Sequence, residues 1–260
     1  MTYSPFNLSG KVALVTGGNG GIGLGMAEAM AQAGADIVIW GTNEEKNRNA
    51  EAALKKHGVR AASFRVDVAS EAEVARAMKD SVAAMGRVDA VFANAGIGSA
   101  ARSFLDMTTE QYRKVLSVNL DGVFFTMREA ARHMRERAAA GDRGGSLVGI
   151  ASVAAIEGAA RNEHYAATKG GVISMMRSIA VEFARDGVRA NTILPGWIAT
   201  DMTAGAQTSP AFTEKVIPRV PMRRWGEPAD FGGIAVYLAS SASAFHTGDT
   251  FVIDGGYTIF

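Results

Sequence analysis

The sequence predicts a doubly wound α/β fold, a parallel sheet of seven strands with helices on both faces, in one domain spanning residues 1–260. Three observations predict it. Short apolar runs alternate with longer helical stretches from one end of the chain to the other. Several runs are continuous and β-branched rather than alternating, which suits strands buried on both faces. The first run leads through a glycine cluster straight into helical sequence, Thr16-Gly17-Gly18-Asn19-Gly20-Gly21-Ile22-Gly23. At roughly 100–200 residues per domain, the length allows one large domain or two small ones. No internal repeat and no long linker divides the chain.

The elements follow in order. The first strand is expected at 12–16 and the helix after the glycine cluster at 23–34. A second strand at 36–40 leads to a helix at 44–57, whose Glu44 and Glu45 suit the positive end of a helix dipole. A third strand at 61–66 precedes a helix at 70–85, where residues 71–78 show helical spacing and Ser70 is placed to cap. After a fourth strand at 90–93 comes a long helix at 109–140. Its Arg128, Arg132, Arg135 and Arg137 mix with Glu129 and Glu136 and read as a solvated face. A surface loop at 140–145 precedes the fifth strand, 146–151. The helix expected at 165–186 carries Met175 and Met176, which suit a core or a subunit interface. The sixth strand lies at 189–194. Residues 200–225 break the rhythm, with Pro210, Pro218, Pro221 and no clear strand; they are expected to be an irregular substrate-binding lid. A helix at 228–240 and a strand at 250–253 complete the alternation.

Composition narrows the function. Hydrophobic residues at 48% and charged residues at 20% exclude general disorder. Lys+Arg 27 against Asp+Glu 26 leaves a net charge of +1, with no basic balance to attract nucleic acid or an anionic membrane. The apolar runs are strand-sized, far below the ~20 residues that span a bilayer. Residues 1–10 do not read as a secretory signal. A cytoplasmic protein is the expectation. With no cysteine, disulfides, thiol catalysis and cysteine-ligated zinc drop out. His57, His133 and His246 show no metal-ligand spacing, so no metal is expected. Glycine is abundant, 30 residues of 260, against an average near ~7%.

The glycine cluster gives that excess a use. A strand, a glycine turn and a helix start place bare N–H groups and the helix dipole at one spot, where a pyrophosphate can approach the backbone. The second strand ends in Trp40-Gly41-Thr42-Asn43. That end has no acid for a ribose 2′-hydroxyl and no arginine for a 2′-phosphate, so NAD and NADP both stay open. Thr42 and Asn43 can hydrogen-bond either. Further along, Tyr165 and Lys169 sit four apart and share a helix face. A cation near the phenol is expected to lower its pKa and make it an acid/base near neutral pH; alone, the pair also fits an ordinary helix. Ser152 lies at the end of a strand, where such sheets border their ligand crevice. Asn119 sits within the long helix, an unfavourable place for asparagine that fits either a functional role or a kinked turn. His164, beside Tyr165, points about 100° away from it and reads as structural.

Together these residues resemble the short-chain dehydrogenase/reductase superfamily, over essentially the whole chain. Gly17, Gly21 and Gly23, with Asn19 and Ile22 between them, are similar to its cofactor loop. Asp67, followed by Val68, is similar to its adenine contact. Ala93-Asn94-Ala95-Gly96 resembles its Asn-Asn-Ala-Gly segment, with Ala93 for the first Asn. Asn119, Ser152, Tyr165 and Lys169 fall on its catalytic tetrad. Pro195, Gly196, Ile198 and Thr200 lie in a segment similar to the one that holds the nicotinamide carboxamide. Arg224, Gly226 and Pro228, then Asp254, Gly255 and Gly256, match its C-terminal signatures.

The resemblance implies a Rossmann-type fold and an NAD(P)-dependent oxidoreductase acting on a secondary alcohol or its ketone. It implies Tyr165 as proton donor and acceptor, and Ser152 as the group bonded to the substrate oxygen. Lys169 would lower the tyrosine pKa and bind the nicotinamide ribose, and Asn119 would hold a proton-relay water. A homotetramer is the oligomer that it implies. The competing reading is a non-catalytic dinucleotide-binding sensor or scaffold. Within the family the pattern is near 3-oxoacyl-carrier-protein reductases and sugar or polyol dehydrogenases. Arg102, Arg219, Arg223 and Arg224 are the basic residues available to a carrier protein. Met202, Phe212, Val216, Ile217 and Trp225 give the lid an apolar character that hints at a partly apolar substrate.

Overall fold

The computed structural model describes residues 4–260, so the first three residues of the N-terminal stretch lie outside the described residues. The apolar runs become β1 (Val12–Thr16), β2 (Asp36–Gly41), β3 (Ala61–Arg65), β4 (Ala90–Ala93), β5 (Gly145–Ile150), β6 (Val188–Pro195) and β7 (Thr250–Ile253). They pair in parallel as one seven-stranded sheet in the order β3-β2-β1-β4-β5-β6-β7. The helices are α1 (Gly21–Gln32), α2 (Glu44–Lys55), α3 (Glu71–Met85), α4 (Thr109–Leu116), α5 (Gly122–Ala139), α6 (Ala154–Glu157), α7 (Glu163–Phe183), α8 (Ala204–Gln207), α9 (Pro210–Val216) and α10 (Gly232–Ala239). Among the described residues, no helix is long and apolar enough to cross a membrane.

Continuous apolar strands are needed because both sheet faces are covered. Successive residues point to opposite faces. Val12, Leu14, Val38 and Trp40 join the core under α3, α5 and α7, while Ala13, Val15, Ile37 and Ile39 join the core under α1 and α10. Local signals set the helix starts. Asn43 caps α2 by accepting from the Lys46 N–H, and Ser70 caps α3 by accepting from the Glu73 N–H.

Three expectations are corrected. The helix expected at 109–140 is interrupted by a π-helical turn at Ser117–Asp121, centred on Asn119. A wide turn of this kind re-aims one side chain without ending the helix. Residues 200–225 are not irregular: they hold a 3₁₀ turn at Asp201–Thr203, then α8, α9 and a second 3₁₀ turn at Ile217–Arg219. Pro210 stands in the first turn of α9, where its missing N–H costs no helical bond. The arginines of α5 are not a merely solvated face. Arg128 pairs with Glu71, and Arg135 with Glu182 and Asp186. Arg137 is only 12% exposed and reaches Asp89 and Asp142.

Candidate active site

The sheet order changes direction between β1 and β4, and the site forms at the carboxyl ends of these strands, where a doubly wound sheet leaves its crevice. Thr16 ends β1, and its hydroxyl accepts from the Asn94 and Ala95 N–H groups at 3.0 and 2.9 Å. The Asn94 side chain donates to the Thr16 and Gly17 carbonyls. This lacing sets the shape of the glycine loop. Gly17 and Gly21 have φ of 62° and 52°, a conformation that L side chains rarely adopt. A Cβ on Gly23 would meet Asn94 Nδ2 at 2.5 Å, so the α1 start can come this close only as glycine. Around Gly20 nothing lies within 4 Å of a Cβ, and the N-terminus of α1 has no acid in its first turn. An open cradle of backbone N–H groups at a helix start fits the pyrophosphate of a dinucleotide.

At the end of β2, Asn43 spends its Oδ1 on the α2 cap. Asn19 reaches across from the glycine loop and donates to Asn47 Oδ1 at 2.7 Å. After β3, Asp67 Oδ1 accepts from the Ala69 N–H, and Val68 is buried against Gly122. After β6, the Pro195 carbonyl accepts from the Val153 N–H. Gly196 lies against Asp254, whose carboxylate accepts from Gly256 and Thr258. Ile198 is buried and bridges to Gly226. Thr200 comes within 3.3 Å of a Cβ placed on Gly21, so the base of the lid meets the glycine loop.

The four tetrad positions converge between β4, β5 and α7. Lys169 is 4% exposed and donates to the Ile150 carbonyl at 2.8 Å. Its ammonium lies 5.5 Å from the centre of the Tyr165 ring. Ser152 lies close to the Tyr165 phenol and favours its ionised form, while its Oγ accepts from the Ala154 N–H at 3.2 Å. Asn119 is fully buried; its Oδ1 accepts from the Ile97 N–H at 2.8 Å and its Nδ2 donates to the Ile97 carbonyl at 2.9 Å. A Cβ on Gly96 would meet Asn119 Oδ1 at 3.3 Å and Lys169 Nζ at 3.6 Å. The π turn therefore places Asn119 one glycine away from Lys169.

The electrostatics correct one expectation. Burial pushes the Tyr165 phenol above its ordinary pKa, and the nearby Ser152 hydroxyl opposes this only in part. Burial also pulls Lys169 down to about 8. Proximity of a cation was expected to lower the tyrosine, but desolvation dominates where both groups leave water.

Sequence reasoning missed two residues here. Thr16 was legible only as the residue before the glycines. Asn47 shows as a polar residue on the buried side of α2, 3% exposed. The lid's apolar residues mostly pack on one another. Trp197 meets Phe212, Trp225 and Tyr257 edge-on at 5.0 to 6.3 Å, and Val216 and Val220 are buried with them. Met202 instead reaches toward Gly98. His164 is 2% exposed with neither ring nitrogen bonded; Asn162 Oδ1 and Glu163 Oε2 are also buried without a partner.

A doubly wound sheet, a glycine cradle at its switch point and a Ser, Tyr and Lys group beside it define a nicotinamide-dependent oxidoreductase. The comparisons make this specific. Residues 17–258 match the family model described as enoyl-(acyl carrier protein) reductase. The chain is 36% identical to the L-rhamnose 1-dehydrogenase (NAD(P)(+)) of Azotobacter vinelandii, over 95% of this chain and 96% of that one. It is 35% identical to the 2-dehydro-3-deoxy-D-gluconate 5-dehydrogenase of Escherichia coli, over 99% of each chain. A gluconate 5-dehydrogenase from Burkholderia cenocepacia, solved with NADP and tartrate, superposes with a TM-score of 0.92 at 36% identity, covering 98% of each chain. The chain belongs to the short-chain dehydrogenase/reductase superfamily. It is an NAD(P)-dependent oxidoreductase of alcohol and ketone groups.

Proposed function

We propose that the enzyme interconverts a secondary alcohol and a ketone on a small polyhydroxylated substrate, a sugar or sugar acid, with Tyr165 moving the proton. The observation that carries the chemistry is the convergence of Ser152, Tyr165 and Lys169 at the end of β5. The nicotinamide supplies or accepts the hydride when bound. Tyr165 gives its proton to the carbonyl oxygen in reduction and takes it back in oxidation. Ser152 donates to the same oxygen and stabilises the charge developing there. Lys169 favours the phenolate by its charge and holds the nicotinamide ribose. Asn119, bonded to Ile97, sets the backbone beside Lys169 through which a relay water would be held.

Gly17, Gly21, Ile22 and Gly23 would form the diphosphate site, with Asn19 on its adenosine side beside the end of β2. Thr42 and Asn43 would face the adenosine ribose, Asp67 and Val68 the adenine, and Asn94 and Gly96 the inner ribose. Pro195, Gly196, Ile198 and Thr200 would border the nicotinamide. The lid at 200–225 would close over the substrate. The assembly would be a homotetramer.

A small polar substrate is favoured over an acyl carrier protein. Three of the four arginines that a carrier would use are engaged, Arg224 with Asp230, Arg223 with the Pro218 carbonyl and Arg219 over the Tyr257 ring, which leaves Arg102 of the four exposed alone among the described residues. The relatives named for sugar and sugar-acid substrates agree.

The test is a panel of aldoses, aldonates, polyols and 3-oxoacyl thioesters, assayed with both cofactors. Turnover of thioesters alone would overturn the substrate reading. Tyr165→Phe is expected to lose at least about a hundredfold in turnover, the lower range for a missing general acid/base, while cofactor binding persists. Full activity in that variant would remove Tyr165 from its role.

A further inference from the structure

We infer that Asn19, held by Asn47, stands in for the acid that an NAD-selecting site carries at the end of its second strand, and that the resulting site takes a 2′-hydroxyl and a 2′-phosphate alike. The inference rests on the crevice being the NAD(P) site. In such sites a strand-end carboxylate binds the ribose diol and repels a 2′-phosphate, whereas an arginine accommodates the phosphate. Here β2 ends at Gly41, followed by Thr42. A Cβ on Gly41 would lie 2.5 Å from Asn47 Oδ1 and closer still to Asn19 Nδ2. The carboxamide of Asn19, arriving from the glycine loop, therefore fills the space that a strand-end side chain would enter.

Asn47 determines how that carboxamide is turned. It is 3% exposed, and its Nδ2 donates to the Gly41 and Phe64 carbonyls at 2.9 and 3.1 Å. Two carbonyls on one end require the nitrogen there, so Asn47 must present its oxygen to Asn19. Asn19 must answer with its own nitrogen, at 2.7 Å. This leaves the Asn19 oxygen and its second N–H for a ligand. The oxygen can accept from a ribose hydroxyl, and the N–H can donate to a hydroxyl or a phosphate oxygen. A neutral amide has no charge with which to exclude either.

The surrounding charges point the same way. Lys46 pairs with Asp201 at 2.6 Å, Arg48 with Glu44 at 3.6 Å, and Arg65 with Glu73 at 4.0 Å. These are solvent-exposed rim pairs, individually weak. A 2′-phosphate can draw Lys46 from Asp201 at small cost, and a free 2′-hydroxyl leaves the pair intact. Asn19 is thus the specificity residue and Asn47 its positioning residue.

The experiment is titration calorimetry of the full chain with ADP-ribose and 2′-phospho-ADP-ribose, which reads binding without turnover. Both are expected to bind, with dissociation constants within about tenfold, the worth of one hydrogen bond to a charged group. The triple variant Asn19→Ala, Asn47→Ala and Gly41→Asp removes both side chains that a Cβ at position 41 would meet and installs the acid; it should keep ADP-ribose and weaken the 2′-phosphate form by on the order of a hundredfold. Asn47→Leu should weaken both ligands, and adding Asn19→Ala to it should cost nothing further, whereas the same change in the parent chain does. Apo melting temperatures taken alongside separate this from loss of folding. Discrimination beyond about tenfold in the parent chain, or additive Asn19 and Asn47 effects, overturns the inference while the cofactor reading stands. Failure of both ligands to bind overturns the cofactor reading and the inference with it.

Discussion

At the scale of single residues, the site holds its chemistry at a cost in stability. Lys169 has its folded pKa near 8, against 10.5 for the free side chain, because it is buried. Below about 8 it carries a charge that burial disfavours. Between those two values the unfolded chain binds more protons than the folded one, so stability rises with pH across the window. A shift of this size corresponds to roughly 3 kcal/mol at most. Removing the ammonium also orphans the Ile150 carbonyl, a loss of about 1–3 kcal/mol. Lys169→Met is therefore expected to abolish activity yet leave the cofactor-free protein as stable as the parent, or more stable, at pH 7. Any advantage should shrink as pH approaches 10.5, the value for the free side chain. Melting curves from pH 7 to 10 check this, and a variant that loses stability equally at all pH values would contradict it. Tyr165, Lys169 and Ser152 were legible in sequence because their spacing and strand-end position are local properties. The direction of the tyrosine shift was not, since burial depends on what α7 packs against.

At the scale of elements, the legible features are those with a short-range cause. The strands show as apolar runs and the α2 and α3 starts show through Asn43 and Ser70. The π turn at Ser117–Asp121 has no such signal beyond one awkward asparagine, and its geometry is secured from outside by Ile97. The lid helices were hidden because their prolines read as breakers, although Pro210 sits where a helix tolerates it. Contact between α5 and the segment leading into β4 was hidden too. There His133 accepts from the Val88 N–H through Nε2, beside the Arg137 pair with Asp89. Burial, reinforced by Arg137, lowers the His133 pKa below its ordinary 6.5. Its contribution is present above 6.5 and lost as pH falls through the depressed folded value, because the unfolded imidazole protonates first. Acidification should thus loosen this junction. His133→Gln, which keeps an acceptor for Val88, is expected to flatten the melting temperature between pH 5 and 6.5. An unchanged slope would assign the acid sensitivity elsewhere.

At the scale of the whole molecule, the sheet order explains why one end of the strands does everything. With β1 beside β4, the two crossovers leave in opposite directions and the glycine loop, Gly96 and Ser152 open onto one crevice. The same order leaves β3 and β7 as edges, and the two are treated differently. Around β3 stand charged residues, Arg60 paired with Asp36 and Arg65 near Glu73, and charge discourages pairing at an edge. At β7 the side chains after Thr250 are apolar. Phe245 is fully exposed, Val252 is 39% exposed, and Ile259 and Phe260 stand 89% and 70% exposed at the C-terminus. A set of large apolar side chains around one sheet edge favours association. The expected occupant is a second copy of the chain, contributing to the proposed tetramer. Light scattering on the eluting protein should give four times the chain mass. Phe245→Asp with Val252→Lys should give a smaller species that still binds cofactor, because the crevice lies at the β1 and β4 ends and not at this edge. A monomeric parent protein would remove the tetramer, and a variant that remains tetrameric would move the interface to another face.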